Sequence, residues 1–201
     1  PKDRELCVLA RALVRTVLSR YADVTADAWR FVNNEHGRPE VHEPRSERSL
    51  KFNLSHTKGL VVCVVARDRE VGVDVEDQER RGKLLEVAER FFSPSEATAL
   101  RRLPKAEQLD RFFFYWTLKE SYIKARGKGL AIPLSQFSFE LDERRGEGIR
   151  ISFVPELDDD PERWQFTALS FGRQHRIAVG VEMKEQDTVR FIVRETVPLR
   201  E

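Results

Sequence analysis

The sequence has little cysteine, no long apolar run and almost no net charge, and each shortage removes a class of protein. Only Cys7 and Cys63 are present. Neither lies near a second Cys or a His at zinc-ligand spacing, so neither a disulfide framework nor a structural zinc is expected. Both sit among apolar neighbours and read as buried thiols of a reducing cytosol, which points to a cytoplasmic protein. The longest apolar run is Leu60–Ala66, far short of the ~18 residues a membrane-spanning helix needs. No stretch has the order of a signal peptide, so no membrane partner is expected. The 35 basic and 34 acidic side chains nearly cancel, to +1, which argues against nonspecific nucleic-acid binding. Disorder pairs low hydrophobicity with high net charge, and here 40% of the 201 residues are hydrophobic, 13 of them Phe. The chain begins at Pro1 without a Met, which points to an upstream segment.

What is present is patterned. Leu6, Leu9, Ala10, Leu13, Val14, Val17 and Leu18 recur at helical spacing and predict an amphipathic helix over 3–20. A short strand over Trp29–Val32, a turn over Asn33–Pro39 and a polar loop over Glu43–Ser49 follow. Phe52–Ser55 and Leu60–Ala66 read as strands, the second apolar enough to be covered on both faces. Arg67–Arg69 reads as a hairpin connection into an alternating strand, Glu70–Glu76. A helix over Lys83–Phe92 precedes Ser93-Pro94-Ser95-Glu96, a capping box with Pro at the first helical position. A long helix over Lys105–Arg126 stops near Gly127 and Gly129. Strands are predicted over 137–141, 149–154, 164–171, 177–182 and 189–193, with polar turns between them, including Asp142–Gly148. That order predicts an α+β fold of two lobes, divided as 1–76 and 77–201. Val71-Gly72-Val73-Asp74-Val75-Glu76 is faintly echoed by Val179-Gly180-Val181-Glu182, a hint of a pseudo-repeat.

Asp74 and Glu76 lie two apart in a strand and share a face. Alone, the pair reads as a solvated sheet edge; a hard divalent cation would also explain it. Glu120 shifts the balance. At ~100° per residue it falls about 40° from Trp116, inside the apolar arc of the long helix. A carboxylate there is half-buried and needs a cation, a donor or a proton. A Glu120–Lys124 helix pair is the simplest partner; a metal site with Asp74 and Glu76 is the other. His56 at a strand end reads as a hydrogen-bonded structural residue. Gly37-Arg38-Pro39 reads as a turn, and Arg15 and Lys2 as solvated helix residues.

Two segments together are specific: Phe52-Asn53-Leu54-Ser55-His56 with Gly72-Val73-Asp74-Val75-Glu76, and Trp116-Thr117-Leu118-Lys119-Glu120-Ser121-Tyr122-Ile123-Lys124. The chain resembles a 4'-phosphopantetheinyl transferase of the larger single-chain type, whose members carry Gly-x-Asp-x-Glu and Trp-x-x-Lys-Glu-x-x-x-Lys. The resemblance implies a pseudo-twofold arrangement of two similar α+β lobes, with the active site and coenzyme A in the cleft between them. It implies Mg²⁺ held by Asp74, Glu76 and Glu120, with Lys124 by the pyrophosphate. It implies that Ser55 and His56 contact the nucleotide end, that Gly37, Arg38 and Pro39 lie along the adenine, and that Arg15 and Lys2 supply basic contacts to the 3'-phosphate end. Family members usually carry a further N-terminal segment.

The implied reaction moves 4'-phosphopantetheine onto a serine of an apo acyl or peptidyl carrier protein and releases 3',5'-ADP. The nucleophile belongs to the partner, consistent with the lack of a Ser or Cys elbow here. Glu120 and a metal-bound water are both open as the general base. Two lobes in one chain supply the cleft internally, so a monomer is expected. The alternatives are a metal-dependent nuclease or phosphatase using the same acids, and a non-catalytic coenzyme A or carrier-binding protein.

Overall fold

The computed structural model describes residues 2–44, 49–80, 82–142, 148–184 and 189–199. The described residues form α1 (Lys2–Ser19), β1 (Arg30–Asn33), β2 (Pro39–Glu43), β3 (Leu50–Thr57), β4 (Leu60–Arg67), β5 (Val71–Asp77), α2 (Leu84–Phe91), α3 (Pro94–Arg102), α4 (Lys105–Arg126), β6 (Phe137–Asp142), β7 (Gly148–Phe153), β8 (Trp164–Phe171) and β9 (His175–Glu182). This is the α+β architecture that the element order predicts. The expected turn over 142–148 and part of the expected loop over 43–49 lie outside the described residues.

In the N-terminal part, α1 lays Val14 and Leu18 on Trp29, Leu50 and Phe52. The Trp29 indole N–H donates to Ser19 Oγ at 2.9 Å, which ties the end of the helix to the strand that follows. The packed stripe of α1 begins at Ala10, and the preceding turn, with Cys7, Val8 and Leu9, is exposed. Cys7 is therefore not the buried thiol expected of it. Cys63 is half-buried, and burial pushes its thiol up to about 12. Strands β3 and β4 form an antiparallel hairpin closed at Gly59, whose φ of +82° suits glycine. Strand β4 meets apolar neighbours on both faces, but it is the outer strand of a two-stranded ladder and stays half-buried.

The connection over Arg67–Arg69 is not a hairpin. Strand β4 does not pair with β5, and the Asp68 carboxylate instead accepts from the Ser49 amide at 2.7 Å. Strand β5 joins the C-terminal sheet, whose order is β5-β9-β8. It is also stitched to β3, by side chains rather than by a ladder. Asn53 Oδ1 accepts from the Val73 amide at 3.0 Å, and Ser55 Oγ from the Val75 amide at 3.3 Å. Strand β5 is thus shared by the two halves of the molecule. The two echoing segments turn out to be ladder partners, with Gly72 opposite Gly180 and Val73 opposite Val179.

Both glycines lie under α4. A Cβ on Gly72 would stand 2.1 Å from the Ser121 carbonyl oxygen and 2.4 Å from the Ala125 nitrogen. The helix rests directly on bare strand backbone. Its other side carries the core: Phe112, Phe113, Leu118, Tyr122 and Ile123 pack with Phe137, Phe139 and Phe166. Ser93 and Glu96 form the expected capping box at the start of α3. Glu96 then also pairs with the fully buried Lys119 at 2.7 Å, and Lys119 donates to the Leu134 and Phe137 carbonyls at 2.7 and 2.6 Å. The expected strand over 189–193 is absent. Those residues run without a ladder partner, with Val189 and Phe191 packed on the valines of β5 and β9.

Gly72→Ala sets a new methyl against helix backbone, which cannot rotate away, whereas a methyl on Gly180 meets the Phe166 ring at 2.6 Å, a side chain that can shift. Urea denaturation is expected to show Gly72→Ala destabilised by about 3 kcal/mol or more, and Gly180→Ala by less. Equal losses would contradict the contact.

Candidate active site

Because α4 crosses β5 at Gly72, side chains of the crossing turn and of the turn before it stand over the polar residues farther along the strand. Asp74 and Glu76 share the α4-facing side of β5 with Gly72. Glu120 and Lys124 come from α4, and Ser55 from β3. Lys124 Nζ lies 2.5 Å from Asp74 Oδ1 and donates to Ser55 Oγ at 3.0 Å. Ser55 Oγ donates in turn to Asp74 Oδ1 at 2.9 Å. With the Val75 amide donating to it as well, the Ser55 hydroxyl has its one donor and both lone pairs in use.

The Glu120–Lys124 helix pair is not what forms. Lys124 reaches across to Asp74, the more deeply buried acid, where a charge is less well hydrated. Glu120 is left half-buried. Burial, and then the charges of Asp74 and Glu76, push its pKa up to about 7, with Lys124 opposing. Glu76 is also raised, by burial first and then by Asp74; Arg80 and a 3.1 Å hydrogen bond from the Trp116 indole offset part of this. The three acids therefore feel one another. Asp74 Oδ2 is buried with no hydrogen-bond partner, which is costly for a carboxylate oxygen.

Among the described residues no group of three or more His, Cys, Asp or Glu side chains closes to metal-binding distances. The donor chemistry nonetheless fits a hard divalent cation: carboxylate oxygens only, one of them orphaned, and a surplus of negative charge. Lys124 supplies the positive charge at this point of the structure.

The other expected residues divide. His56 is exposed at the end of β3 and lines an open recess of about 530 Å³ with Thr57, Lys58, Glu76, Asp77, Glu79 and Arg80, so the structure brings His56 and Glu76 to one hollow. Gly37 is exposed at the tip of its turn, at φ +83°, with Pro39 half-buried behind it. The Arg38 side chain is buried among protein carbonyls. Arg15 is not a solvated helix residue: it donates to the carbonyls of Ala26 and Trp29 at 3.0 and 2.7 Å and lies over the Phe31 ring. The Lys2 side chain lies outside the described residues. Asn53 and Trp116, which are not among the expected site residues, also hold the site's strand and one of its acids. Both had a signal: Asn53 is two residues before Ser55 on the same strand face, and Trp116 one helical turn before Glu120.

An α+β fold with acids and a lysine gathered where a helix meets a bare strand, beside a recess rimmed by His56, Lys58 and Arg80, is suited to phosphate chemistry assisted by a cation. The chain belongs to the 4'-phosphopantetheinyl transferase superfamily, whose family model matches residues 70–180. It is 37% identical over 131 residues to the 4'-phosphopantetheinyl transferase HetI of Nostoc sp., spanning 65% of this chain and 55% of that protein. It is 36% identical over 142 residues to the 4'-phosphopantetheinyl transferase Sfp of Bacillus subtilis, spanning 71% and 61%. A holo-(acyl-carrier-protein) synthase from Bacillus anthracis, solved in complex with CoA (3',5'-ADP), aligns with a TM-score of 0.46 and 19% identity over 56% of this chain and 94% of that one. The chain thus spans somewhat more than half the length of the two named relatives.

The raised pKa of Glu120 makes stability pH-dependent. The native state holds this proton up to about pH 7, whereas the unfolded chain releases it near 4.5. Between those values the native state binds more protons, so stability falls as pH rises, then levels off. Glu120→Gln should leave the melting temperature unchanged at pH 4.5 and raise it by several degrees at pH 8. A constant difference across pH would contradict the burial of a charge there.

Proposed function

We propose that the protein transfers 4'-phosphopantetheine from coenzyme A to a serine hydroxyl of an apo acyl or peptidyl carrier protein, releasing 3',5'-ADP. The observation that carries this is the meeting of Asp74, Glu76 and Glu120 with Lys124 at the crossing of α4 and β5, in a chain of this superfamily. The serine Oγ forms a bond to the β-phosphorus, the bond from that phosphorus to the bridging oxygen breaks, and 3',5'-ADP leaves with the electron pair. Lys124, free to exchange Asp74 for a phosphate oxygen, neutralises charge on the departing phosphate. Glu120, a half-buried acid of the group, is the candidate base for the serine proton in this reading. Asp74, Glu76 and Glu120 would hold Mg²⁺, which when bound supplies Lewis-acid polarisation of the phosphate oxygens. The recess beside His56, with its basic rim, suits the nucleotide end. The chain's own contribution is positioning and charge stabilisation.

In this reading the protein acts as a cytoplasmic monomer, with lobes 1–76 and 77–201 flanking a cleft and β5 as the strand they share. Among the described residues no helix is long and apolar enough to cross a membrane.

Intact mass of an apo carrier protein incubated with the chain, coenzyme A and Mg²⁺ tests the proposal. The carrier should gain one phosphopantetheine group, and EDTA should abolish the gain. Glu120→Gln and Lys124→Ala should each lower the rate at least ~100-fold while remaining folded. A carrier left unmodified by the unaltered chain, or full activity in EDTA, would overturn the reading.

A further inference from the structure

We propose that Arg38 is a positioning residue, whose guanidinium sets Lys124, Asp74 and Ser55 in register with one another; the inference rests on the transferase reading above. The guanidinium donates to one carbonyl in each of three elements: Ala125 in α4 at 2.8 Å, Val71 in β5 at 3.2 Å and Phe52 in β3 at 3.4 Å. Each carbonyl lies close in sequence to one member of the polar trio. Ala125 follows Lys124 directly, Val71 is three residues before Asp74, and Phe52 is three residues before Ser55. One planar group therefore clamps, from behind, the three backbones that carry the site.

The clamp is built in. Arg38 is 8% exposed, and its charge is met by Glu70 at 2.8 Å, which also holds Lys51 at 3.1 Å. The Ala125 carbonyl belongs to the last turn of α4, where carbonyls lack helical partners and a cation is favoured. The turn before Arg38 grips the same helix end. Asn34 Nδ2 donates to the Gly127 carbonyl at 3.1 Å, while Asn34 Oδ1 accepts from the amides of His36 and Arg38, both at 2.9 Å. Gly127, at φ +64°, leaves only enough room for this: a Cβ there would lie 3.1 Å from Arg38 Nη1. A lysine replaces the fork only in part, because its donors leave a single point instead of spreading across a plane.

Steady-state kinetics and amide hydrogen exchange on the full chain test the role, with Arg38→Gln, Arg38→Lys and the milder Asn34→Ala. Misplacing reacting groups by about 1 Å can cost on the order of 10²-fold, so Arg38→Gln should lower kcat roughly 10- to 100-fold. The KM for coenzyme A should stay within about threefold, the mark of lost transition-state interactions. Amides of 122–127 should exchange faster, while those of β6 and β7 should not change. Arg38→Lys should restore part of kcat, and Asn34→Ala should show the same pattern more weakly. A raised KM with unchanged kcat would mean that the side chain holds the nucleotide directly, and would overturn the proposal. Unchanged kinetics and exchange, or loss of folding in all three variants, would overturn it too. If the unaltered chain modifies no carrier, the transferase reading fails, and the exchange pattern alone decides whether Arg38 clamps α4.

Discussion

Where α4 crosses β5, an added Cβ on Gly72 would stand 2.1 Å from the Ser121 carbonyl oxygen, so no side chain separates helix from strand. Much else follows from that closeness. Side chains in the crossing turn of the helix reach the strand's polar side chains within hydrogen-bond distance, as Lys124 reaches Asp74 at 2.5 Å. Gly180, opposite Gly72 in the ladder, widens the bare surface under the helix. A larger residue at Gly72 would lift α4 and part Asp74 from Lys124, whereas one at Gly180 would press first on the Phe166 ring. The glycine of the Gly-x-Asp-x-Glu motif is thus as much a part of the site as its acids.

The helix is held from its other side as well. Lys119 is fully buried; burial lowers its pKa, Glu96 opposes that shift, and two backbone carbonyls complete its hydrogen bonding. Removing one partner of such a pair typically costs about 3–5 kcal/mol, because it strands the other charge. Lys119 precedes Glu120 directly, so anchoring the lysine inward turns the glutamate toward β5. At the far end of α4, Asp159 accepts from Tyr122 at 2.7 Å, Trp164 at 3.0 Å and Arg126; burial would raise its pKa, but the Tyr122 hydroxyl, the Asp160 amide and Arg126 outweigh it and hold it low. Helix α4 is fixed by charge at Lys119 and at Arg126, and strand β5 is stitched to β3 by Asn53 and Ser55.

Local signals were legible and distant ones were not. The capping box at Ser93, the stop at Gly127 and the burial of Glu120 could be read because each depends on residues a turn or two apart. The same angular argument puts Trp116 on the face of Glu120, but its partner Glu76 lies 40 residues away and was beyond its reach. Arg38 gave no local sign of its burial, since its partners Glu70 and Ala125 are 32 and 87 residues away. Lys124 was ambiguous for the same reason: its helical neighbour Glu120 was visible, but the buried Asp74, 50 residues back, was the stronger attractor. The exposure of Cys7 and the missing strand at 189–193 are misreadings of apolar residues whose surroundings only the tertiary fold decides.

In the proposed reading, Asp74, Glu76 and Glu120 at the α4–β5 crossing hold a divalent cation beside the pyrophosphate of coenzyme A. Anomalous diffraction from crystals grown with Mn²⁺ and coenzyme A tests it most directly. The account predicts one strong peak within coordinating distance of the Asp74 and Glu120 carboxylates and of a coenzyme A phosphate oxygen. Coenzyme A bound with no peak among these acids, or a peak held by other residues, would contradict it.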